Sequence, residues 1–116
     1  PTTIQLAVRP VSPDTPPRYV FDALTLNRSQ TLASYNVLSS GLSFILPDES
    51  SASLMNYTFA ATENDPFLES IPIVVRGQDI LTIKRGQAII ISFLTEAAAY
   101  NQNYVIFERF ISSLEF

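Results

Sequence analysis

The chain has no histidine, no cysteine and no tryptophan, and only three glycines and one lysine in 116 residues. Without histidine it lacks the side chain that exchanges protons near neutral pH and most often binds metals. Without cysteine it has no thiolate for soft metals, disulfides or covalent catalysis. Three well-separated glycines leave no Gly-rich phosphate loop. Charge is also scarce, at 16% of residues against a usual level of about 25%. These absences argue against enzyme chemistry, against metal or cofactor binding, and for a surface that a partner covers.

Apolar residues make up 47% of the chain, with eight Phe and five Tyr, which excludes disorder as the dominant state. A length of 116 residues suits one domain with one core. The net charge of −4 opposes nucleic acid and anionic membranes. The basic spots at Arg76 and Lys84-Arg85 form no stripe. The longest apolar run, Ala88–Leu94, is far short of a membrane span. The start Pro-Thr-Thr shows no secretion signal and suggests a removed initiator methionine, hence synthesis in the cytosol.

Strand patterns fill most of the chain. Residues 3–9 alternate strictly, with Ile4, Leu6 and Val8 on one face. The segment Pro10–Pro17 holds four prolines and reads as a stiff connector, which makes residues 1–17 an extended N-terminal arm. Residues 18–116 then form the folded domain. Short strands are expected at 18–26, 31–38, 41–46, 54–61, 71–75, 79–84, 87–94 and 103–111, with polar loops at 47–53 and 62–70. Thr95–Tyr100 is the one helical candidate and is expected to form a loop with a single turn. The pattern predicts an all-β, single-domain β-sandwich of jelly-roll or Greek-key type. Strands 88–94 and 104–107 are apolar on both parities, which implies cover on both faces.

Few motifs carry chemistry. Arg76-Gly77-Gln78 and Arg85-Gly86-Gln87 echo each other at a spacing of nine, and the two glycines are expected to shape two reversals. The stretch Asp79–Phe93 is similar to strand pairs of many sandwich domains, cupredoxins among them, but the copper ligands of that family are missing. Acidic residues gather at Asp48-Glu49 and at Glu63, Asp65 and Glu69 without the spacing of a calcium loop, so they read as solvated loops. No serine has a nucleophile's context. The Tyr100–Tyr104 segment reads either as a binding tip or as a hairpin loop with one Tyr returning to the core. Phe107, Phe110 and Phe116 place apolar surface at the chain end, where it must dock on the chain's own core or on a neighbour.

The alternating arm Thr2–Arg9, the Pro10–Pro17 connector and the doubly apolar strands together resemble small all-β virion proteins of tailed bacteriophages, in particular head decoration or cement proteins. That resemblance implies a structural protein of the virion, assembled in the host cytoplasm, that binds copies of itself and/or a major capsid protein. Its interface would include Ile4, Leu6, Val8, Tyr100, Tyr104, Phe107, Phe110 and Phe116. The alternatives are a tail or baseplate adaptor and a soluble sandwich module for carbohydrate or a surface partner, which would use loops 47–53, 62–70 and 95–103.

Overall fold

The computed structural model describes residues 2–63 and 71–114. Strands dominate: β1 (Thr3–Pro10), β2 (Ala33–Ile45), β3 (Ser51–Glu63), β4 (Ile71–Lys84) and β5 (Gln87–Glu96). Helix α1 (Pro17–Thr31) lies between β1 and β2, and helix α2 (Tyr100–Ser112) follows β5 after a 3-10 turn at Ala97–Ala99. The five strands form one antiparallel sheet in the order β1-β5-β4-β3-β2.

The strand-rich expectation holds, but the expected sandwich is replaced by one sheet among the described residues. Each face is covered by a helix. Val20, Phe21 and Leu24 of α1 pack on Met55, Tyr57, Leu81, Ala88 and Ile90. Tyr100, Phe107 and Ile111 of α2 pack on Ala52, Ile80, Ile91 and Phe93 from the other side. This explains why β5 is apolar on both parities: as an inner strand it is buried on both faces.

Both helices overturn strand expectations. Residues 18–26 alternate superficially, yet Val20, Phe21, Leu24 and Arg28 recur at helical spacing. Pro17 sits at the first helical position, where its fixed φ suits the helix and its missing N–H is no loss. The connector therefore launches a helix. At the other end Tyr100, Tyr104, Phe107, Ile111 and Leu114 follow the same helical spacing, and the expected strand at 103–111 belongs to α2.

The strands are fewer and longer than expected. Strands 31–38 and 41–46 fuse into β2, which absorbs Gly41 (φ 78°) among three register shifts. Strands 71–75 and 79–84 fuse into β4, so Gly77 makes no reversal. It lies opposite Tyr57, and a Cβ there would come within 2.3 Å of the Tyr57 ring. The second echo behaves as expected: Arg85 (φ 53°) and Gly86 (φ 71°) make a two-residue hairpin between β4 and β5. The expected arm is the edge of the sheet, with β1 paired to β5 from Thr3↔Leu94 to Pro10↔Gln87.

Candidate functional site

The most concentrated polar chemistry is closed to solvent. Asp79, on β4 and facing α1, is fully buried. Arg28 of α1 donates to both its carboxylate oxygens, at 2.5 and 3.1 Å. Ser92 and Tyr57 donate to Oδ1 at 2.7 and 3.2 Å. The Arg28 guanidinium also stacks on the Tyr57 ring, 4.4 Å from its centroid. Burial opposes the charge on Arg28, but hydrogen bonding to Asp79 and its charge outweigh this and hold the group above its ordinary value. Burial, then the Asp79 charge, pushes the Tyr57 phenol up. Fully buried, this carboxylate is out of a substrate's reach. This network clamps α1 to the sheet.

The opposite face is held by aromatic packing. Phe93 stacks on Phe107 at 5.0 Å and meets Tyr100 and Tyr104 at 5.7 and 6.0 Å. A hydrogen-bonded ladder crosses three strands below the helix: Asn56 donates to Ser39, Gln78 to Asn56, and Tyr104 to Gln78, at 3.0–3.1 Å. Tyr100, Tyr104, Phe107 and Phe110 therefore turn inward, and the Tyr100–Tyr104 segment is neither a binding tip nor a hairpin loop but the first turn of α2, with both tyrosines packed on the core. A hollow of about 150 Å³ beside α2, lined by Phe44, Ile80, Tyr104, Phe107 and Ile111, is smaller than the roughly 300 Å³ at which small-molecule sites begin.

Ile4, Leu6 and Val8 share the α2 face of β1, as their alternation implies. Ile4 packs against the α2 core, whereas Leu6 and Val8 are 59% and 52% exposed. Leu6 pairs with Ile91, which α2 covers, and Val8 with the half-buried Ile89. Beside them Asp48, Lys84, Arg85, Gln87 and Ile89 line a shallow depression of about 320 Å³. Asp48 accepts hydrogen bonds from Lys84 and Ser50, which hold its carboxyl down to about 2. The acidic pair at 48–49 thus supplies a salt bridge and a turn. An apolar centre with a charged rim is the ordinary layout of a protein–protein contact.

The two edges of the sheet differ. β2 carries three register shifts and positive φ at Ser34 and Gly41, devices that blunt an edge. β1 pairs with β5 through eight consecutive residues without a bulge, leaving its outer side straight. Phe116, Asp65, Glu69 and most of loop 62–70 lie outside the described residues. Among the described residues, no group of three or more metal-ligating side chains occurs, and no helix is long and apolar enough to cross a membrane.

The sequence matches no known family and no curated protein. In structure the chain is similar to PA94, a Pseudomonas aeruginosa protein of unknown function described as a candidate regulator. The TM-score is 0.62 at 14% identity, covering 100% of this chain and 84% of the other. That likeness establishes a shared fold.

Proposed function

We propose that this chain is an assembly protein that acts through contact with other protein surfaces, and that its contact surface is the free edge of β1 with Leu6, Val8 and Ile89 beside it. The observation that carries this reading is the contrast in pairing between the two edges: β2 is broken by register shifts, whereas β1 is regular and carries the exposed Leu6 and Val8. A strand edge offers unpaired N–H and C=O groups at fixed spacing, which another strand satisfies. The partner is a second copy. Antiparallel pairing of β1 with β1 about a two-fold axis joins two five-stranded sheets and places each Leu6 and Val8 near its counterpart. The capsid-decoration role expected from the sequence is one form of this reading.

Sedimentation velocity tests the proposal. The unaltered chain should sediment as a dimer at concentrations near 100 µM, and Leu6→Lys with Val8→Lys should yield a folded monomer. A chain that stays monomeric throughout, or a double variant that remains dimeric, removes the β1 edge from the account.

A further inference from the structure

Arg76 stands on β4 on the α2 face, opposite Thr58 of β3 and Thr95 of β5. Its guanidinium carbon lies over the ring of Tyr100, the first residue of α2, 3.9 Å from the ring centroid. Tyr100 is itself fixed by stacking on Tyr104 at 5.4 Å. Yet Arg76 makes no hydrogen bond or ion pair with a described residue, and its Nε is buried without an acceptor. The contrast with Arg28 is direct: that guanidinium stacks on Tyr57 in the same way, but also grips a carboxylate with two nitrogens. Arg76 has the stacking platform and, among the described residues, lacks the carboxylate.

Part of the ground beside it is apolar and exposed. Val74, two residues along the same face, is 56% exposed, and its cross-strand partner Ala60 is half-buried. From these features we infer that Arg76 anchors a carboxylate side chain of an extended peptide segment from a partner protein, with Val74 and Ala60 receiving the apolar residues beside it. The guanidinium presents a planar fork that matches a carboxylate with two parallel hydrogen bonds. A polyanion such as nucleic acid is disfavoured, because the chain's net charge is −4 and Arg76 belongs to no basic stripe. The site lies on β3 and β4 near the start of α2, apart from the β1 edge, and does not depend on the dimer.

The test uses the full chain, labelled with ¹⁵N, and the capped pentapeptide acetyl-Leu-Val-Glu-Val-Leu-amide, with its Gln counterpart as control. The Arg76 Nε–H signal, assigned by its loss in Arg76→Lys, should shift saturably with the Glu peptide. The Gln peptide should bind at least about tenfold more weakly, as expected for losing a charge-assisted pair. Arg76→Lys should lower affinity for the Glu peptide while leaving the rest of the spectrum in place. If that variant fails to fold, the Glu and Gln comparison on the unaltered chain still decides. Equal binding of the two peptides, or no saturable shift at millimolar concentrations, overturns the inference.

Discussion

The two faces of the sheet solve the same problem, docking a helix, by opposite means. On one face α1 contributes three buried apolar residues from its first half and a single ionic clamp, Arg28 to Asp79, from its last turn. On the other, α2 is fixed by aromatic rings in mutual contact, with one phenol hydrogen-bonded to the strand ladder. Apolar attachment is distributed, so losing one contact leaves the others. An ionic clamp is concentrated, because removing one partner strands the other charge in the interior. The α1 face should therefore be brittle to single changes at its clamp, and the α2 face tolerant of polar trimming.

The largest expected effect is at the clamp. Arg28→Met leaves Asp79 buried and uncompensated, which should cost about 3–5 kcal/mol in urea unfolding. Adding Asp79→Leu removes the orphaned charge and should recover part of that loss. A double variant no more stable than Arg28→Met would show that α1 is held by something other than the ion pair. On the α2 face, Tyr104→Phe keeps the ring contacts and leaves the Gln78 oxygen without its donor. The expected cost is about 1–2 kcal/mol, read as a shift in denaturation midpoint at unchanged slope. A loss as large as that of Arg28→Met would erase the distinction between the faces.

The smallest effect is one of pH. The Tyr57 phenol is raised above its ordinary value of 10.0 by burial and by the Asp79 charge. A raised value means that the folded state keeps its proton while the unfolded chain releases it. The stabilising contribution is full below pH 10 and erodes as pH climbs from 10 toward the higher folded value. At pH 10.5 that erosion should be on the order of 1 kcal/mol or less for this one group. Burial also raises Tyr100 and Tyr104, so the α2 face adds to the same alkaline loss. Tyr57→Phe should flatten the stability profile above pH 10, measured by urea unfolding between pH 9 and 11. A slope unchanged by the substitution would assign the alkaline loss to the other face.

The strand periodicity of 3–9 and 87–94 and the turn at Arg85-Gly86 are legible in the sequence because alternation and positive-φ chemistry are local. The helices are harder to see. Tyr, Phe, Val and Ile fit strands by propensity, and in both 18–26 and 103–111 that composition hides the helical spacing that tertiary packing selects. Pro16-Pro17 before a run with apolar residues at 20, 21 and 24 is the available signal for α1. Gly77 reads as a turn residue because its real constraint, the Tyr57 ring on the neighbouring strand, is twenty residues away. For the proposed interface, Leu6 and Val8 emerge from alternation alone, and α2 withdraws Tyr100, Tyr104, Phe107 and Phe110 to the core. Asp79 carries no local mark: Arg28, Tyr57 and Ser92 converge on it only through the fold.

The position of β1 also dictates an order of events. The strands β2 to β5 follow one another as neighbours in the sheet and can close as successive hairpins, whereas β1 must wait for β5, its Thr3 meeting Leu94 and its Pro10 meeting Gln87. Long-range closures come late in folding because the loop entropy must be met before any contact repays it. β1 is thus the last strand to be seated. Until it is, the apolar flank of β5 stands open to any strand of matching pattern, including the β1 of another chain.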